Sequence, residues 1–312
     1  KLMTIISYLF ICYVCQRSTR ILALVQPGSQ QPSRGIEPKN YFKNTYFVND
    51  YDLSPTKILD LVSLSQNGSN GKNTNTAPLR QQLFTSPLIS TLYERILPPL
   101  WKAGLRIGGP DAEYSSAEAY LTNDNEITVT EQCDGGTGFV ALDLSCGTGF
   151  VATRMAKSPS FQYVFGLDYS FQMLNEAVNS VANFERERDT SNTQPVGNKE
   201  QLPLCWIRGD AGSLPFRDNV LDAIHWGAAM HCVPDVEKAL AETYRVLKPG
   251  GKLYATTFLR PFPDIVFRFF TLEEMEDLAN EAGFGANPND KQKSSFLQVE
   301  GRGVYGILRA MK

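Results

Sequence analysis

The chain has 312 residues, 42% of them hydrophobic, and a formal net charge of -3. That length holds one large domain with extensions or two small ones, and the apolar content excludes a chain disordered throughout. The lack of a net basic field argues against nucleic acid as a partner.

Charge is unevenly placed. Residues 1–49 carry six basic side chains against one acid, Glu37, a net of +5 that leaves -8 on the remainder. A basic, acid-poor head on an acidic body reads as a targeting segment. Within it, residues 4–15 (TIISYLFICYVC) form an apolar run too short to span a bilayer, interrupted by 16–20 and resumed by ILALV. Residues 26–49, rich in Gln, Ser, Pro and Asn, follow as a transit-like tail. The pair suggests two-step import into a plastid. Six cysteines at 12, 15, 133, 146, 205 and 232 are too sparse for a disulfide framework, and Cys12 and Cys15 have no second pair with which to hold a metal. A reduced compartment and no metal are expected, with Cys146 and Cys232 read as small packing residues.

Residues 50–80 read as a linker, with a polar low-complexity stretch at 66–78 (QNGSNGKNTNTAP). Helical spacing at 86–97, ended by Pro98 and Pro99, and a second short helix at 113–121 suggest a helical cap over 81–137. From residue 138 to the end, strand and helix patterns alternate. The expected strands are GFVALDL, YVFGLD, PLCWIRGD, LDAIHWG and KLYATTF, with helices at 148–158, 170–184, 236–247 and 271–282, a polar insertion at 185–201 and a KPGG turn. Two closing strands near 296–299 and 304–310 have too little chain between them for a parallel crossover and should pair antiparallel. The pattern predicts an α/β domain with a mostly parallel sheet and helices on both faces.

Chemistry concentrates where strands end. ALDLSCGTGF joins the first buried strand to a helix, and Gly147 and Gly149 allow a sharp bend beside free helix N–H groups. Gly147, Gly149 and Ala152 satisfy the dinucleotide pattern G-x-G-x-x-A, and Asp168 follows Gly149 by 19 residues. That motif alone leaves a dinucleotide and S-adenosylmethionine both open. Asp143 beside the bend suits a cationic ligand and repels a pyrophosphate. Asp168 ends the second strand, where its carboxylate suits two ribose hydroxyls. Asp210 ends the third, where it suits an adenine amino group. Gly227, Ala228 and Ala229 follow the fourth strand and leave room for a ligand. His231 lies beyond them as a candidate general base, with a structural histidine as the competing reading. His225, inside the strand, reads as a core residue. The aromatic run at 261–270 (PFPDIVFRFF) suits either an apolar acceptor pocket or a core or lid segment.

The ordered set D-x-S-C-G-T-G, GLDYSFQML, GDAGSLPF, MHCVPD and RVLKPGG over about 138–260 resembles class I S-adenosylmethionine-dependent methyltransferases of the ubiquinone/menaquinone-biosynthesis-like group. RQQLFTSPLISTLYERILPPLWKAG, TTFLRPFP and FTLEEMEDLANEAGF extend the likeness to plant and algal plastid methyltransferases linked to plastoglobules. The resemblance implies a Rossmann-like sheet of seven strands, mostly parallel with an antiparallel terminal strand, over 138–312. It implies S-adenosyl-L-methionine as cofactor, held by Asp143, Ser145, Gly147, Gly149, Asp168, Tyr169, Met173, Asp210, Ala211 and Gly227. It implies methyl transfer to a small, lipophilic phenol- or quinone-like acceptor, a plastid setting and association with a membrane surface or plastoglobule. Two departures stand out: Ser145 occupies the usual first glycine of the loop, and the cysteine-rich N-terminal segment of plant relatives is missing. The rival readings are a non-catalytic S-adenosylmethionine-binding protein and a nicotinamide- or flavin-dependent oxidoreductase.

Overall fold

A computed structural model describes residues 37–43, 53–62, 109–123, 138–190, 202–260, 268–285 and 297–312, all within the unit Pro32–Lys312. The apolar run at 4–15, the helix expected at 86–97 and residues 261–267 lie outside these described residues.

The sheet has eight strands: β1 (Ile58–Asp60), β2 (Phe139–Leu144), β3 (Phe161–Asp168), β4 (Leu204–Arg208), β5 (Leu221–Trp226), β6 (Leu247–Phe258), β7 (Leu297–Arg302) and β8 (Tyr305–Met311). Their order is β1-β4-β3-β2-β5-β6-β8-β7. Only β8 runs against the rest, pairing antiparallel with both β6 and β7, as the short connection requires. Among the described residues, five α-helices accompany the strands: α1 (Gly109–Leu121), α2 (Phe150–Lys157), α3 (Phe171–Thr190), α4 (Val236–Val246) and α5 (Leu272–Glu281).

Central strands such as β2 and β3 are apolar almost throughout because both of their faces are covered. Side-chain alternation splits them between two cores. Leu142, Leu144, Phe165, Ile207, Ile224 and Leu253 face one way, with Val236 and Leu240 of α4 and Met275 and Leu278 of α5. Ala141, Val164, Trp206, Ala223 and Tyr254 face the other way, with Tyr114 and Ala117 of α1, Ala152 and Met155 of α2 and Leu174 and Ala177 of α3. The helix starts follow local chemistry. Asp235 caps α4 through the Lys238 N–H (2.9 Å). Thr271 and Glu274 cap α5 reciprocally, at 3.1 Å and 2.7 Å.

α1 runs along β6 in a matched register. Successive inward residues of the strand, two apart, meet helix positions three to four apart. Thr256 donates to Glu113 Oε1 (2.6 Å), and Tyr254 donates to Ser116 Oγ (3.1 Å). The buried Lys252 ammonium donates to the carbonyls of Tyr120 (3.3 Å) and Asn123 (2.6 Å), capping the helix's negative end.

The differences from the expected layout have physical causes. The eighth strand, β1, comes from the segment expected to be linker. It pairs parallel with β4, and Arg208 grips Asp60 at 3.0 Å. Residues 37–43, counted with the leader, pack on the body: Phe42 is buried against Phe165 (5.7 Å, edge-on) and Phe216 (5.5 Å). The Lys43 N–H donates to the Pro215 carbonyl and the Arg217 N–H to that of Tyr41. Further along, α3 continues to Thr190, and KPGG is absorbed into an irregular start of β6, where Gly250 adopts φ 79°. Among the described residues, no helix is long and apolar enough to cross a membrane.

Candidate functional site

The site forms where β2, β3, β4 and β5 end side by side, the edge at which open parallel sheets bind ligands. The β2–α2 bend needs three residues in left-handed conformation: Ser145 (φ 56°), Gly147 (φ 56°) and Gly149 (φ 78°). At Ser145 a side chain tolerates a region that costs an L-residue about 1–2 kcal/mol. The two glycines serve different ends. A Cβ at Gly147 would meet nothing within 4 Å, so its backbone faces open space available to a ligand. A Cβ at Gly149 would collide with the Trp206 indole and Ala177, so this glycine is required by the floor beneath it. The same indole lies under Gly166, where a Cβ would sit 2.5 Å from it, and Trp206 Nε1 donates to the Pro55 carbonyl at 2.8 Å.

Asp168 is half-buried at the end of β3. Its two oxygens accept the N–H groups of Gly147 (2.9 Å) and Ser170 (2.8 Å), tying the glycine bend to the start of α3. Burial pushes its carboxyl up to about 6, against the lowering pull of those N–H donors. A carboxylate offers about four lone-pair sites, so capacity remains for hydroxyl donors beside the backbone N–H groups. Tyr169 and Met173 flank it; Met173 is buried, and Arg208 Nε donates to the Tyr169 carbonyl (3.1 Å).

Asp210 is exposed past β4, with one oxygen accepting the Gly212 N–H (2.9 Å), and Ala211 is buried beside it. The loop that follows is held by Arg245, which donates to the carbonyls of Phe216 (2.9 Å) and Leu214 (3.2 Å) and to Asp218 (2.6 Å).

Asp143 is placed differently from its neighbours. It is 2% exposed, and both oxygens are engaged within the protein: the Ala152 N–H in the first turn of α2 (2.8 Å) and His225 Nδ1 (2.7 Å). Its carboxylate therefore acts on the helix start and the imidazole. The space beside Gly227 is likewise occupied from within, since a Cβ there would lie 2.5 Å from the His225 ring and 3.1 Å from Glu113. Ala228 takes φ 49° and donates its N–H to Thr256 Oγ1 (2.6 Å).

His231 sits in a short 3-10 turn, Met230–Cys232. It is buried, hydrogen-bonded with the Thr257 hydroxyl (3.3 Å), stacked on Phe269 (6.0 Å) and edge-on to Phe258 (5.1 Å). Burial pushes its imidazole down to about 3, so it is neutral at physiological pH. Trp206, Glu113 and the pairing of His225 with Asp143 escape a reading of the sequence. The available signal was a titratable residue at an inward position of an otherwise apolar strand. Among the described residues, no group of His, Cys, Asp and Glu could hold a metal ion.

The site can be compared with known proteins. The family described as methyltransferase domain matches residues 142–255, from β2 into β6. An uncharacterized chloroplastic methyltransferase of Arabidopsis thaliana is 30% identical over 274 residues, covering 83% of this chain and 67% of that protein. A 2-phytyl-1,4-naphtoquinone methyltransferase of Nostoc punctiforme is 36% identical over 129 residues, covering 40% of this chain and 49% of that one. The match thus spans two thirds of the length of the first relative and just under half of the second. The fold matches that of Haemonchus contortus phosphoethanolamine N-methyltransferase 2, solved with S-adenosyl-L-methionine, at a TM-score of 0.53 and 16% identity over 76% of this chain and 60% of that one. An open-faced Gly147, a carboxylate with spare acceptor capacity at Asp168 and the relatives together place the chain in the S-adenosylmethionine-dependent methyltransferases.

Proposed function

We propose that this chain transfers a methyl group from S-adenosyl-L-methionine to a small lipophilic phenol- or quinone-like acceptor in a plastid. The observation that carries the cofactor half is the junction of the glycine bend with Asp168, where a half-buried carboxylate and an unobstructed backbone stand together. Gly147 and Gly149 would lie along the methionyl part, with Ser145 beside them. Asp168 would accept the ribose hydroxyls. Asp210, with one oxygen outside its turn, would accept the adenine amino group, and Tyr169, Met173 and Ala211 would bound the base. Asp143 and Gly227 would contribute by shaping the loop and the end of β5. When bound, the cofactor supplies an electrophilic methyl on a sulfonium.

The chain's own contribution is alignment and exclusion of water. His231, Phe258 and Phe269 make an aromatic wall past β5, suited to a flat apolar acceptor. With its conjugate acid held near 3, His231 is a weak base, and its neutral ring serves this wall. The acceptor class is supported by the quinone methyltransferase among the relatives, and the plastid by the chloroplastic one. Peripheral association with a membrane or plastoglobule belongs to the same proposal, as does the leader at 1–36 that would carry the chain there.

The test is transfer of labelled methyl from S-adenosylmethionine to plastid lipid and quinone extracts, with identification of the product. A labelled prenylated quinone or phenol is expected. Label only in water-soluble or protein fractions would overturn the acceptor class. Binding of S-adenosylhomocysteine with no transfer to any fraction would assign the chain to non-catalytic cofactor binding.

A further inference from the structure

Beneath the site lies a buried ionisable cluster that cofactor contact does not explain. His225 is 2% exposed in the middle of the sheet, opposite Asp143 in the β2–β5 register. Its Nδ1–H donates to Asp143 Oδ1 at 2.7 Å. Its Nε2 has no hydrogen-bond partner and faces Glu113 Oε1 of α1 at 4.0 Å. Glu113 in turn accepts the Thr256 hydroxyl at 2.6 Å, and that hydroxyl accepts the Ala228 N–H (2.6 Å) and the Tyr305 phenol (2.7 Å), so it is fully used. Asp143 holds the first turn of α2 through Ala152. The cluster therefore touches three parts that frame the cofactor: the helix behind the glycine bend, the Gly227–Ala228 end of β5 and the covering helix α1.

We infer that His225 and Glu113 are positioning residues for cofactor binding: the imidazolium, held between Asp143 and Glu113, joins α1 to the glycine bend and keeps the bend in its binding shape. The inference rests on the cofactor reading above. The charge logic follows from the groups facing the ring. Asp143 presents a carboxylate from β2 and Glu113 one from α1. Glu118 and Tyr114 of α1 line the small hollow beside the ring, and Tyr254 of β6 stacks on it at 6.2 Å. Two cations lie on packed elements and are held elsewhere: Lys252 of β6 donates to the Tyr120 and Asn123 carbonyls, and Arg154 of α2 lies over the Tyr114 ring at 5.7 Å. A neutral ring would aim the Nε2 lone pair at a carboxylate and leave a buried acceptor without a donor, whereas the imidazolium gives Nε2 a proton to offer Glu113. Burial alone would lower the pKa of His225, yet Asp143 and then Glu113 outweigh it, so the group is raised from its ordinary value. A raised histidine keeps its proton below its folded value and loses it as pH climbs through that value. The latch is thus closed below that value and open above it.

The chain has two histidines, and His231 is driven far below the physiological range, so His225, raised from its ordinary value, is the imidazole left to titrate. This permits a direct measurement on the full chain with 13C/15N-histidine labelling. His225 should titrate above about 6.5 in the free protein. S-adenosylhomocysteine should raise that midpoint, because a proton that favours binding must be favoured by it. In parallel, calorimetry with S-adenosylhomocysteine should show wild-type affinity falling about fivefold or more above the midpoint. Glu113→Gln should move the midpoint down while the chain stays folded. His225→Gln should bind about five- to tenfold more weakly at neutral pH and lose the alkaline fall. The inference is overturned if the ligand leaves the His225 midpoint unmoved, or if folded Glu113→Gln binds within about twofold of wild type with an unchanged midpoint. Failure of the wild-type chain to bind S-adenosylhomocysteine at any pH would instead strike the cofactor reading itself.

Discussion

Lowering the pH should titrate Asp168 and weaken cofactor binding over a window that the structure defines. In the free protein its carboxyl is pushed up to about 6 from an ordinary value of 3.8, because burial outweighs the Ser170 and Gly147 N–H groups. The sign follows directly. A raised carboxyl favours its protonated form in the folded chain, whereas two ribose hydroxyls need the charged form as acceptor. The Asp168 contribution to affinity should therefore be full above about 7 and be lost as pH drops through 6. At pH 5 about one molecule in eleven carries the carboxylate, so the apparent Kd should rise about tenfold, or about 1.4 kcal/mol. His231, pushed down to about 3, does not titrate here, and His225, raised from its ordinary value, opposes binding only on the alkaline side, so the acid limb belongs to Asp168. Calorimetry with S-adenosylhomocysteine between pH 5 and 8 reads the effect. Asp168→Asn should bind more weakly by about 2–3 kcal/mol at pH 7.5 and show no acid fall. A wild-type Kd constant within twofold from pH 5 to 7.5, in a chain still folded at pH 5, would refute the assignment of Asp168 to the ribose.

Other substitutions separate positions that look alike. Gly147→Ala should cost about 1–2 kcal/mol, from its left-handed backbone alone, since a Cβ there meets nothing. Gly149→Ala should cost distinctly more because its Cβ would strike Trp206, and equal losses on thermal unfolding would contradict this packing. Phe42→Ala should destabilise by about 3–4 kcal/mol, and a chain starting at residue 44 by at least as much. Denaturant midpoints decide this. His231→Phe should retain activity within about tenfold and show the wild-type pH–rate profile between pH 6 and 9; a loss beyond about a hundredfold would mark His231 as the acid–base group.

The strand ends were legible because burial on both faces writes near-continuous apolar runs, and an acidic residue closing such a run marks the edge where ligands bind. The antiparallel closing pair was legible from its short connection. β1 was not: three residues are too short to carry a periodicity, and they become a strand only because β4 offers an unpaired edge. Phe42 left no mark for the same reason, its burial being decided by Phe165 and Phe216 far along the chain. The continuation of α3 through the charged residues 185–190 was hidden because side-chain polarity suggested a loop, while Glu and Arg are good helix formers. The residue types at Asp143 and Gly227 were noticed, but their partners His225 and Glu113 depend on strand register and helix docking, which local spacing does not encode.

The Trp206 indole has a consequence for how such chains can vary. It fills volume that side chains at 149 and 166 would otherwise take, and it is held in place by a carbonyl at Pro55, before the edge strand. Positions 149, 166 and 206 therefore share one fixed allotment of space and should drift together among homologues. A smaller residue at 206 licenses a methyl at 166, and a chain that lacks the 53–62 segment has no fixed acceptor for the indole and no reason to keep a tryptophan there.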